Sequence, residues 1–476
     1  MQGSTDSWDL IVIGAGTTGL PAAIFASRRG ARVLLIDAAG DIGGTLHLAH
    51  GQVSAAGTRL QVDKGIHDDP DAHFDDVMRI SRGLADPTLI RRIVDEAPAT
   101  IDWLLEAGLE PLAEHPVNGQ MPGREGYSVP RYLWAADQGR SILAVLRREL
   151  QPELDSGRVE LLLNTRVTDL DHEAPGRVTG VRLANGRLAH ARHVLLATGG
   201  YAMNPELFQE LCGCPAYAAG SYPYSRGDGL KLGMRAGGMV HNGHLHRPGS
   251  GSILDSVEFP ARFYARFNTT PQLRAPWEVW VNDRGERFIR EDEPNAMTRE
   301  EALLAQPLLR YHVIFDRAIL DQSPSGIPDW ERSRLIEHCN QHPMFHSADS
   351  LDLLANRAGI NAIGLQATID QYNRSVRERH DILGREHLPL TITQPPFYAI
   401  TQVGHSAVSC AGLKVDDGLR VLDETGAPIP GLLAAGEILG SGATLGRAFV
   451  PGMMLTPALA LGRWLGLTLT MGSTPE

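Results

Sequence analysis

Three glycines at fixed spacing, Gly14, Gly16 and Gly19, separate the apolar run Leu10-Ile11-Val12-Ile13 from an alanine-rich stretch, Leu20 to Arg29, that reads as a helix. In such a strand-turn-helix unit the first glycine permits the tight turn and the second lets a pyrophosphate approach the backbone. The third lets the helix pack on the strand, with the phosphates at the helix N-terminus. A second aliphatic run, Ala31 to Ile36, ends in Asp37, where a carboxylate accepts hydrogen bonds from ribose hydroxyls. The chemistry of this stretch is dinucleotide binding.

Two later segments repeat the strand-to-glycine pattern, Val194 to Tyr201 and Gly431 to Glu437, and small residues also follow the acid between Asp41 and Gly51. Separate segments converging on one ligand suit a long molecule such as FAD better than a nicotinamide.

Other reactive residue types point elsewhere. His241, His244 and His246 form HxxHxH, but in an extended segment His244 and His246 share one face while His241 takes the other. No carboxylate or cysteine near them in sequence completes a site, so no metal is expected. The four cysteines, Cys212, Cys214, Cys339 and Cys410, make no CxxC, no haem-attachment motif and no iron-sulfur array; they read as space-filling thiols of a reducing compartment.

The order of motifs resembles the flavoprotein family of soluble fumarate reductases, succinate dehydrogenase flavoprotein subunits and 3-ketosteroid Δ1-dehydrogenases. The residues that carry the resemblance are GAGTTG at 14–19, Gly43-Gly44, ATGGY at 197–201, GDG at 227–229, WVNDRGERFIRED at 280–292, PFYAI at 396–400 and GLLAAGE at 431–437. It implies a flavin-dependent oxidoreductase acting on a carbon-carbon bond beside a carbonyl or carboxylate. The FAD-contacting residues it implies are Gly14, Gly16, Thr18, Gly19, Asp37, Gly43, Gly44, Thr45, Gly51, Thr198, Gly199, Gly200, Asp228, Gly436, Glu437 and Met453. Thr45 stands where membrane-bound members carry a flavin-linking histidine, and His47 and His50 are displaced from that position, so non-covalent FAD is expected.

The same resemblance implies the catalytic set. His405 and Arg447 stand where fumarate reductases grip a substrate carboxylate, Arg299 where a lid arginine gives a proton, and His246 where a histidine binds substrate. In ketosteroid dehydrogenases the base is a tyrosine with a depressed phenol pKa, for which Tyr127, Tyr132, Tyr222, Tyr224 and Tyr264 are the candidates, Tyr224 foremost. Gly452 matches the backbone N–H that polarises a ketone, at the start of a C-terminal helix directed at the flavin. Ketone desaturation is the favoured reading. Reduction of an unsaturated carboxylate is the close rival, and a flavin-free binding protein on the same fold is a distant one. An NAD(P)H-dependent disulfide reductase would need a second nucleotide motif or a redox cysteine pair, and neither is present.

The elements that must position these residues are an α/β fold: a Rossmann-like FAD-binding domain built from both chain ends, with an inserted α+β capping domain. The expected boundaries are residues 1–239, 240–395 and 396–476. The chain has 476 residues and a net charge of −12 with no long basic run, which argues against a nucleic-acid partner. The polar N-terminus lacks an export signal, and Pro457 and Arg463 interrupt the apolar stretch from Gly452 to Met471. The expectation is a cytoplasmic protein outside the membrane, with a small-molecule ketone or carboxylate as substrate and a separate electron carrier.

Overall fold

The computed structural model describes residues 7–173, 176–217, 220–405 and 408–470; residues 1–6 and Met471, read above for export and for the C-terminal helix, lie outside them. The principal sheet has eight strands, and its parallel centre joins the two ends of the chain. Ser7–Ile13 lies between Val33–Ile36 and Leu188–Leu196, and Pro428–Ala434 pairs parallel with the far side of Leu188–Leu196. Their continuous aliphatic runs follow from burial on both faces: Leu10, Ile11, Val12 and Val33 to Ile36 have no exposed surface.

The helix Thr456–Thr468 packs on Gly19–Arg28, so the last segment of the chain lies against the first helix. A Cβ on Gly462 would come within 2.2 Å of the Thr18 carbonyl, which explains why a helix interior tolerates glycine there.

A second apolar core spans Ile253 to Val403 and is built on an antiparallel sheet in the order Val279–Val281, Arg310–Asp316, Phe397–Val403, Phe345–Ala348. The helices Leu351–Ala358 and Ala362–Glu378 belong to it. Phe397–Val403 pairs on both sides within this sheet, so it belongs with the inserted lid, although the sequence division at 395/396 assigned it to the returning body segment. The WVNDRGERF stretch also serves the lid's interior: Arg287 bridges Glu291 at 2.6 Å and Asp381 at 2.6 Å beneath the sheet. Among the described residues no helix is long and apolar enough to cross a membrane.

Candidate active site

A groove runs along the carboxyl ends of Ser7–Ile13, Val33–Ile36 and Leu188–Leu196, where open α/β sheets bind nucleotides. Gly14 sits at φ +106°, and a Cβ there would come within 2.4 Å of the Ala197 carbonyl oxygen; no other residue type fits this turn. An added Cβ on Gly16 would meet only Gly44 Cα at 4.0 Å, so the backbone there is bare toward the groove. Gly19 has its Cβ position within 1.8 Å of the Gly14 carbonyl, in line with a packing role.

Asp37 accepts from the N–H of Ala15 at 2.7 Å through Oδ2 and from that of Ala39 at 2.8 Å through Oδ1. Burial nevertheless holds its carboxyl above the ordinary range. The hydroxyls of Thr17 and Thr198 are buried without a hydrogen-bond partner, and Thr18, Gly44, Thr45, Gly199 and Asp228 complete the walls. Asp228 is ion-paired with Arg166 at one end of the groove.

The groove opens into a larger cavity through shared walls at Thr45, Tyr222, Glu437, Met454, Leu455 and Ala458. Here stand Gly51, Gly436, Gly452 and His405, with the apolar side chains of Leu48, Phe263, Leu445 and Phe449. The first turn of Thr456–Thr468 faces both spaces, so its dipole favours negative charge at their junction. Glu437 accepts from the Ser409 N–H at 3.1 Å and hydroxyl at 3.2 Å; burial raises its carboxyl pKa. Burial, then the charges of Arg266 and Arg247, brings His405 down to about 4, so its ring is neutral near pH 7, and its Nδ1 has no partner.

These features fit FAD: a bare glycine backbone for the pyrophosphate, a carboxylate at the end of the second strand, orphaned hydroxyls along the groove, and two helix N-termini aimed into it.

Several expected site residues lie elsewhere. Gly200 is packing, its Cβ position within 1.9 Å of Ser409 Oγ, and Gly43 lies against Leu143. Met453 is fully buried in the body core, and its neighbour Met454 faces the groove instead. Arg299 is 5% exposed on the helix Ala296–Leu304, donates to the Glu293 carbonyl and does not line the cavity. Arg447 donates to the His244 carbonyl at 2.6 Å. His246 is 3% exposed, has a ring nitrogen within 4.8 Å of the sulfurs of Cys212 and Cys410, and does not line the cavity.

Of the tyrosines, Tyr127 and Tyr132 are buried with raised phenols, Tyr264 bonds His338 on the lid, and Tyr222 is pushed up to about 12 by burial and then by Asp37. Tyr224 lines the nucleotide groove, not the cavity beyond it. Burial raises the phenols of Tyr127, Tyr132 and Tyr222, the opposite of what a catalytic base needs. Sequence reasoning weighed His50 only against the flavin-linking position and missed Phe263, Phe449 and Met454; the four meet only when the lid and both ends of the body come together.

The family described as an FAD binding domain matches residues 9–447. A fumarate reductase (cytochrome) of Shewanella frigidimarina is 28% identical over 97% of this chain and 76% of its own length. A vinyl phenol reductase of Lactiplantibacillus plantarum is 27% identical over 91% of this chain and 90% of its own. A 3-ketosteroid Δ1-dehydrogenase from Sterolibacterium denitrificans, solved with 1,4-androstadiene-3,17-dione, superposes with a TM-score of 0.70 at 21% identity, covering 97% of this chain and 99% of that one, a likeness of fold.

Proposed function

The chain belongs to the FAD binding domain family and is a flavin-dependent oxidoreductase acting on CH–CH groups; from that premise we propose that it interconverts a neutral ketone and its α,β-unsaturated counterpart. The carrying observation is the lining of the cavity beyond the nucleotide groove. Apolar side chains such as Leu48, Phe263, Leu445 and Phe449 share its walls with Gln52, Ser441, Thr444, two histidines and Glu437, and among the described residues no Lys or Arg lines it. Arg447, expected to hold a carboxylate, and Arg299, expected to give a proton, both donate to backbone carbonyls instead. A carboxylate buried against such walls without a counter-charge costs several kcal/mol, roughly 3 or more, whereas a ketone needs only one or two hydrogen-bond donors.

Bound FAD supplies the hydride acceptor or donor. The remaining work falls to the chain. The Gly452 backbone, at φ +78° on the cavity wall, offers an N–H to the ketone oxygen. His405, kept neutral by burial, offers an imidazole N–H without placing a full charge beside an apolar substrate. His50, on the exposed rim of the same cavity, is placed to pass the α-proton to and from water. Phe263 on the lid and Phe449 on the body add aromatic surface to the cavity wall. The relative named a vinyl phenol reductase supports a neutral substrate.

One observation favours a second reading. Arg266 is exposed on the lid, and its charge helps push His405 down, so a carboxylate at the mouth would find a cation there. This supports the reduction of an unsaturated acid, as the name of the fumarate reductase relative suggests. Titrating the oxidised holoenzyme with cyclohexanone and with succinate, while following the flavin absorption band, separates the two. The proposal expects cyclohexanone to perturb the band independently of salt. A perturbation by succinate alone, lost at high salt and in Arg266→Gln, would overturn it.

A further inference from the structure

Outside the flavin groove the fold gathers three soft donors that lie far apart in sequence. Cys212 ends the body helix Pro205–Cys212, His246 lies on the way out to the lid, and Cys410 lies on the way back. Their ligand atoms are all within 4.8 Å of one another, and the two sulfurs are 3.2 Å apart. His246 is 3% exposed, Nε2 of its ring is buried with no hydrogen-bond partner, and the ring meets Phe208 in a T-shaped contact. Cys410 is 2% exposed. An imidazole nitrogen buried without a partner beside two sulfurs is a cost that a ligand removes.

We infer that Cys212, His246 and Cys410 bind one soft divalent cation of the zinc class. Two sulfurs and an imidazole suit that class and exclude the oxygen-seeking magnesium and calcium. Tetrahedral coordination at about 2.3 Å per sulfur places two thiolates about 3.8 Å apart. The observed 3.2 Å must open by about 0.6 Å to reach it, and it lies well beyond the roughly 2.05 Å of a disulfide. Binding replaces the two thiol protons: one Zn²⁺ enters, two H⁺ leave, and no electrons move. The fourth position falls to water or to one of the oxygens already beside the sulfurs, Tyr201 Oη at 3.3 Å from Cys212 or the Gly243 carbonyl at 3.3 Å from Cys410.

The placement states what such an ion does. The two crossings between body and lid already touch, where Val240–His241 pairs antiparallel with Gly412–Leu413. A cation held by His246 from one crossing, Cys410 from the other and Cys212 from the body clamps the lid's root. Ser409, next to Cys410, donates to Glu437 in the flavin cavity, so the clamp also braces that wall.

The test uses the reduced, FAD-loaded full-length protein, stripped with a chelator and titrated with Zn²⁺ or with Co²⁺ as a spectroscopic probe. The inference expects one ion per chain, tetrahedral cobalt bands at wavelengths beyond the flavin absorption, and two metal–sulfur distances of about 2.3 Å by X-ray absorption. Cys410→Ser and His246→Gln should each weaken binding by 10-fold or more, while Cys339→Ser in the lid leaves it unchanged. Cobalt bound without sulfur ligands, equal affinity in the variants, or a Cys212–Cys410 disulfide in metal-free protein purified without oxidant would overturn it. A folded, FAD-loaded protein that retains no stoichiometric metal would do so equally.

Discussion

Arg447 donates through Nη2 to the carbonyl of His244 at 2.6 Å, tying the returning body segment to the start of the lid. The guanidinium is therefore committed to backbone, and its Nε is buried without a partner. Arg447→Gln should cost about 2 kcal/mol of stability, as a charged hydrogen bond does, and change turnover of a cyclic enone less than about 5-fold. A loss of turnover near 10³-fold with unchanged stability would return Arg447 to the substrate.

At Gly16 an added methyl meets no protein atom closer than 4.0 Å and projects where the groove is bare. Its backbone is outside the left-handed region, so alanine is tolerated by the chain itself. Gly16→Ala should weaken FAD by at least 10-fold, about 1.4 kcal/mol. The thermal midpoint of the FAD-free protein should stay within about 2 °C of wild type. Fluorescence titration with FAD, paired with a melting curve of the apoprotein, checks both halves.

His405 is half-buried, neutral near pH 7 and placed on the cavity wall. Removing a donor aimed at a developing oxyanion costs about 10² in rate or more. His405→Ala should lose that much in kcat/KM at unchanged flavin content. Undiminished turnover would leave Gly452 as the sole donor of the two.

The flavin half of this site was legible because its signals are local. Gly14, Gly16 and Gly19 act within one strand-turn-helix unit, and Asp37 closes the next strand, so residue spacing alone carries their placement. The catalytic half depends on long-range packing. Arg299 and Arg447 occupy expected positions in the chain, yet Arg299 turns back to the carbonyl of Glu293 just before its own helix and Arg447 to the carbonyl of His244 on a distant segment. Met453 and Met454 differ by one residue at the entry to a helix, and that single step decides which is core and which faces the groove. Phe397–Val403 reads as a strand in sequence, but its partners Arg310–Asp316 and Phe345–Ala348 decide that it belongs to the lid. Cys212 and Cys410 could not be matched to His246, since the three approach from separate segments.

His73 has no exposed surface, and burial, then the Arg131 cation, brings its ring down to about 3 from 6.5. The unfolded chain takes up a proton below about pH 6.5 while the folded one refuses it until about 3. The resulting stability is full above that window and is lost as the pH falls through it, at roughly 1.4 kcal/mol per pH unit. Urea unfolding at a series of pH values between 7 and 4 should show this slope, and His73→Gln should lower it by one proton. An unchanged slope in the variant would contradict the assignment.

The central claim is that the cavity beside the flavin accepts a neutral carbonyl compound. Its most direct test is anaerobic stopped-flow mixing of the reduced holoenzyme with cyclohex-2-enone and, separately, with fumarate, reading the return of the oxidised flavin band. The account predicts reoxidation by the enone at least 10-fold faster than by fumarate at equal concentration. Rapid reoxidation by fumarate with none by the enone would contradict it.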